Sequence, residues 1–125
     1  MEMLYPRIRF QKPILADISM IECNGKTINS STSKVCVYDM SSTGISFSTT
    51  LDFPTMNEVP ILLKVVLFSN CTFTGKIATK EMKDGKLYYR LSVKTCNLNF
   101  YKLVEEMNHT HRIKLPYVYK SDEVG

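Results

Sequence analysis

No run of apolar residues in this chain approaches the roughly 20 that span a bilayer, which argues against a membrane-crossing helix and predicts a soluble protein. It has no internal repeat and no low-complexity tract. The four cysteines, Cys23, Cys36, Cys71 and Cys96, are scattered without C-x-x-C spacing, so neither a zinc site nor a thioredoxin-like pair is indicated. Cys23 and Cys36 are placed to face each other across a hairpin, but bridges are rare in reducing compartments, and thiols filling the core are the expectation. There are two histidines, His109 and His111, and no nearby Cys, Asp or Glu completes a metal set with them at recognisable spacing. They fall at the end of an expected helix, where cations complement the helix dipole. No nucleophile and base are brought together by any motif, so the chain is read as not an enzyme, with no metal and no cofactor. The opening residues, MEMLYPRIRF, have an acid at the second position and no apolar block of signal-peptide length, which points to the cytoplasm. The N-x-S/T triplets at Asn29, Asn70 and Asn108 are then chance occurrences in a chain rich in these residues.

What is present is an ordinary globular composition. The chain of 125 residues is 44% hydrophobic and 22% charged, enough for one domain with a real core. The net charge of +4 permits a phosphate ligand without demanding one and is far below that of a dedicated nucleic-acid binder. Seven methionines form no stripe and read as gap fillers.

Period-two alternation dominates the patterning. Residues 14–23 (ILADISMIEC) read as a strand ending in the tight-turn pair Asn24-Gly25, and the polar KTINSSTSK delays a return strand over residues 35–40 (VCVYDM). ISFSTTL places Ile45, Phe47, Thr49 and Leu51 on one face, and DFPTMNEVP breaks the pattern with two prolines. ILLKVVLF is a buried strand, Ser69-Asn70 a turn, and CTFTGKIATKEM a further strand with a bulge at Gly75. Asp84-Gly85 is another turn signal before KLYYRLSVKT. The strands are expected in sequential order, as an antiparallel meander. Asn97 can cap a helix in which Phe100, Leu103, Val104 and Met107 form one apolar stripe. About six strands and one terminal helix predict an all-β barrel with a C-terminal helix, because closure removes exposed strand edges. The tail LPYVYKSDEVG is mixed and receives no element and no function.

One stretch carries chemistry. YDMSSTGISF gathers an acceptor at Asp39, a hydroxyl at Ser41 and a glycine at Gly44 where a strand ends. Such residues commonly satisfy backbone amides in a turn without any ligand. The order D-x-S-x-x-G followed by an alternating apolar strand is more specific, because it fixes three roles at fixed offsets. DMSSTGISF resembles the signature of PilZ domains, small bacterial barrels whose best-known ligand is cyclic di-GMP, and Asp39, Ser41 and Gly44 fill all three signature positions. RIRFQKPI is similar to that family's entry into its first strand, with Arg7 six residues ahead of Pro13-Ile14, and Gly75 and YYRLSVK sit where later family strands are expected. The resemblance runs from about Arg7 to the expected helix near Met107. It implies one PilZ-like domain over residues 1–110, with an N-terminal arm over about residues 1–12, and a tail over residues 111–125.

The resemblance also implies a ligand site where the arm, mobile without ligand, folds over the Asp39 turn. Asp39 would accept from the guanine N1 and N2 edge, Ser41 would add a hydroxyl contact, Gly44 would permit close approach, and Arg7 would clamp base or phosphate. The family's second signature, R-x-x-x-R, is incomplete: Arg7 fills its second position, but Met3 stands at its first. Arginine suits that place because its planar fork meets guanine O6 and N7 or a phosphate bidentately, and losing one such contact costs about 1–3 kcal/mol. Arg9 and Lys12 lie nearby without the motif spacing but could substitute for it electrostatically, and Arg9 joins Arg7, Asp39, Ser41 and Gly44 as an expected ligand-binding residue. The implied function is a cyclic di-GMP receptor that relays second-messenger level to a protein partner. Two alternatives stay open: a PilZ-like interaction module that binds no nucleotide, and a barrel for single-stranded nucleic acid suggested by Tyr88, Tyr89 and their basic neighbours.

Overall fold

A computed structural model describes residues 6–68, 71–97 and 113–120, with eight strands. They are β1 Pro6–Cys23, β2 Lys26–Thr27, β3 Ser33–Ser41, β4 Gly44–Thr49, β5 Ile61–Leu67, β6 Cys71–Lys83, β7 Lys86–Cys96 and β8 Ile113–Lys120. Six of these close into an antiparallel barrel in the spatial order β1-β3-β4-β7-β6-β5, with β5 returning to β1, while β2 and β8 are extra strands on β1. Closure gives each of the six a partner strand on both sides. Among the described residues no helix is long and apolar enough to cross a membrane. The helix expected after Asn97 and the turn expected at Ser69-Asn70 lie outside the described residues.

Two turns form as their sequences require. Asn24 and Gly25 take φ of 53° and 80°, and Asp84 and Gly85 take 54° and 78°, the paired positive φ that lets a two-residue turn follow strand twist. The polar segment after the first turn is tied back by Met20 N, which donates to Ser30 Oγ at 2.8 Å. The ladder between β6 and β7 shifts register beside Gly75, where a bulge was expected, and a Cβ at Gly75 would collide with the Ser92 carbonyl. All four cysteines are free thiols.

The order of the strands departs from a sequential meander. β4 pairs with β7, not with β5, so residues 50–60 cross an end of the barrel before β5, β6 and β7 form their own meander. This is the Greek-key arrangement, in which three hairpin-linked strands are flanked by a fourth reached through a long connection. Periodicity reports which residues face inward but carries no information on which strand lies next to which. The tail also differs from its reading, since residues 113–120 form β8 against Pro6–Phe10 of β1. Residues 6–12, expected in an arm ahead of the first strand, lie within β1, and Arg7 is paired on both sides, with Ser41 and with Tyr119.

β1 is 18 residues long and serves two parts of the barrel. Its register with β3 breaks between Arg9 and Ile14, and Pro13, which has no N–H to offer a ladder, sits in that irregular stretch. The core draws Ile8, Val37, Met40, Ile45, Phe47, Leu63, Phe73, Ile77 and Leu91 from all six barrel strands. Full burial of each such side chain contributes about 1.5–3 kcal/mol. Phe47 and Tyr89 stack with ring centroids 5.1 Å apart.

Tyr89 also fastens the crossover. Its hydroxyl donates to the Leu51 carbonyl at 2.7 Å and accepts from Phe53 N at 2.7 Å. Lys80 adds a bond from Nζ to the Phe53 carbonyl at 2.8 Å and an ion pair with Asp52 at 2.6 Å. Burial pushes the Tyr89 phenol above its ordinary range, and the hydrogen bond to Asp52 raises Lys80. Both groups hold their protons more tightly when folded. Their contribution is therefore complete below about pH 10 and is lost as pH rises through the raised values. Glu58 behaves in the opposite sense: bonds from the Thr55 backbone and hydroxyl lower its carboxyl, so its contribution is lost as pH falls into the acid range. Tyr89→Phe removes both bonds to the crossover and is expected to lower stability by about 1–3 kcal/mol in denaturant unfolding at neutral pH. It should also shrink the alkaline loss of stability that burial of the phenol causes, whereas unchanged stability at neutral pH would show that Tyr89 does not hold the crossover.

Candidate functional site

The D-x-S-x-x-G stretch spans the end of β3, a tight turn and the start of β4. Val37 pairs with Phe47 and Met40 with Ile45, all four in the core, yet two residues of β3 lie between them against the single Ser46 of β4. This bulge puts Tyr38 and Asp39 together on the outer face of the barrel. Ser41, only 1% exposed, accepts from Thr43 N at 3.3 Å and Gly44 N at 3.2 Å, so its hydroxyl builds the turn.

Asp39 reaches a residue that no local motif identifies. Arg90 of β7 donates through Nη1 to Asp39 Oδ1 at 3.1 Å and to Ser46 Oγ at 2.8 Å. The Arg90 side chain is 26% exposed and that of Asp39 12%. Gly44 makes the approach possible, because a Cβ there would lie 2.5 Å from Nη2, 2.7 Å from Cζ and 2.8 Å from Nε of Arg90. Alternation along β7 identifies Arg90 as outward, since Leu87, Tyr89 and Leu91 are buried, but its partner depends on the β4–β7 pairing.

The sequence-predicted residues are brought close in register. Across the β1–β3 ladder Arg7 stands opposite Ser41 and Arg9 opposite Asp39. Directly opposed Cα atoms in such ladders are about 4.5–5.5 Å apart. One row then crosses four strands, Arg9, Asp39, Ser46 and Arg90, and the Arg9 side chain is exposed. Beside this row Tyr38 stacks with Tyr88 at 5.9 Å and bonds Ser48 Oγ at 2.6 Å, an aromatic pair on the same outer face. Tyr89 lies on the opposite side of β7, in the core, so the adjacent tyrosines do not form one aromatic surface.

The patch thus combines two guanidinium groups, one carboxylate, hydroxyls and aromatic rings, a set able to bind an anion that also carries a flat ring. A recess of about 510 Å³ near the crossover is lined by Asp52, Thr55, Glu58, Lys80, Met82 and Leu87, but Asp52, Glu58 and Lys80 there are engaged in holding residues 50–60. Among the described residues no three His, Cys, Asp or Glu side chains gather as a metal site, and His109 and His111 lie outside those residues.

Gly44→Ala is expected to fold, because the colliding atoms belong to the far end of a flexible side chain, and to lift Arg90 from Asp39 and Ser46. The expected cost is about 1–2 kcal/mol. A double-mutant cycle with Arg90→Gln should show the two changes strongly coupled, and additive costs would show that Gly44 is needed for some other reason. Comparison with protein-family models, with curated proteins and with solved structures finds no match to this chain, so its function has to be argued from its own residues.

Proposed function

We propose that this chain is a PilZ-like receptor for cyclic di-GMP, acting in the bacterial cytoplasm and relaying the messenger's level to a protein partner without catalysing a reaction. The observation that supports it best is the β1–β3 register, which sets Arg7 opposite Ser41 and Arg9 opposite Asp39. The arginines of the opening segment and the D-x-S-x-x-G turn, about thirty residues apart in sequence, thereby stand opposite one another in the ladder. In this reading Asp39 accepts from the guanine N1 and N2 edge. A carboxylate has about four lone-pair sites, so Asp39 can serve a base while it holds Arg90. Ser41 and Gly44 shape the turn that lets the ligand approach the backbone, and Arg7 and Arg9 meet base or phosphate.

A second reading is a PilZ-like interaction module that binds no nucleotide. It is favoured by the internal employment of the motif, since Ser41 is held by the turn and Asp39 is paired with Arg90, and by Met3 at the first arginine position. Isothermal titration with cyclic di-GMP separates the two. The receptor reading expects saturable heat, with affinity falling tenfold or more in Arg7→Ala and Asp39→Asn variants that keep the parent melting temperature. Absence of heat at ligand concentrations up to about 1 mM would leave the interaction module standing.

A further inference from the structure

Arg90 belongs to neither the R-x-x-x-R nor the D-x-S-x-x-G signature, yet its guanidinium is held in a fixed position in the patch. Its Nη1 is held by Asp39 at 3.1 Å and Ser46 at 2.8 Å, and the rest of the guanidinium lies over Gly44, where any side chain would displace it. The group is nevertheless a quarter exposed. It is therefore fixed in orientation while presenting a face to solvent, the condition in which a binding group loses little entropy when a ligand arrives. Arg9 stands on the other flank of Asp39, three strand spacings from Arg90, or about 14 Å between Cα atoms. Lys76 lies one strand beyond Ser92, itself opposite Gly44, so this outer face carries several cationic residues. Phosphate matches the planar fork of a guanidinium.

We propose that Arg90 is a ligand-contacting residue that clamps a phosphodiester on the outer face of β3, β4 and β7, with the Asp39 bond serving to aim it. The proposal rests on the receptor reading for the identity of the ligand, a cyclic dinucleotide, but its own content is the phosphate contact. Ser46 and Gly44 then act as positioning residues, one orienting the fork and the other making room for it. The Tyr38 and Tyr88 pair, next to the row, lies where a base attached to that phosphate would rest.

The test titrates the full chain with cyclic di-GMP, cyclic di-AMP and the linear guanylyl dinucleotide, followed by calorimetry and phosphorus NMR. Arg90→Gln and Arg90→Lys are compared, each first shown by circular dichroism and melting temperature to be folded. The clamp expects Arg90→Gln to weaken cyclic di-GMP binding at least tenfold and to abolish the change in phosphorus shift, with Arg90→Lys recovering part of the affinity. Should Arg90→Gln bind with unchanged affinity and an unchanged phosphorus shift, the clamp is wrong while the receptor reading stands. Equal, Arg90-dependent binding of cyclic di-GMP and cyclic di-AMP would keep the clamp and remove the guanine-specific reading. Failure of all three ligands to bind the folded parent chain would overturn both.

Discussion

The extra residue in β3 at Tyr38 and Asp39 governs everything that the outer face can do. Strict alternation from Val35 and Val37 would carry Asp39 into the barrel and leave Met40 outside. An ionised carboxylate among Phe47, Ile45 and Ile8 would be severely penalised unless fully paired. The bulge advances the phase by one residue, so that Met40 enters the core and Asp39 leaves it. β1 keeps its own alternation, with Ile8 and Phe10 inward before its irregular stretch and Ala16 and Ile18 inward after it, and the register break between Arg9 and Ile14 takes up the β3 bulge so that Ile8 faces Met40 and Ala16 faces Val35 inside. The two distortions are matched, and the pairing of Arg9 with Asp39 on the outside follows from both together.

This phase shift also marks the boundary of what the sequence made legible. The Asn24-Gly25 and Asp84-Gly85 turns were readable because paired positive φ admits few residue types, and the buried runs in β4, β5 and β7 were readable because one face must be apolar. Strand ends came within a few residues, with β4 stopping at Thr49 and leaving Leu51 exposed on the crossover. Adjacency was not readable. The pairing of β4 with β7 joins segments separated by two other strands, and only that pairing brings Arg90 to Asp39 across 51 residues. β8 was hidden for a related reason: a short mixed segment such as IKLPYVYK acquires strand character from its partner β1, and the partner lies at the other end of the chain.

The polar residues of the turn have structural duties, and this bears on how their function should be judged. Ser41 satisfies the Gly44 amide, Gly44 leaves space for Arg90, and Arg90 neutralises Asp39. A motif explained so fully by internal bonds would ordinarily argue against a ligand. The arrangement nonetheless differs from a pair built for stability alone. A partly exposed ion pair contributes little, typically about 0–1 kcal/mol. What the glycine secures is the orientation of one guanidinium, held flat against the strand beside a second arginine and two tyrosines. Orientation of this kind adds little to folding and much to recognition, because a preset fork binds phosphate without first being immobilised. The internal bonds and the proposed binding role are thus compatible within one arrangement: the turn holds the carboxylate, the carboxylate aims the arginine, and the arginine keeps part of its side chain exposed.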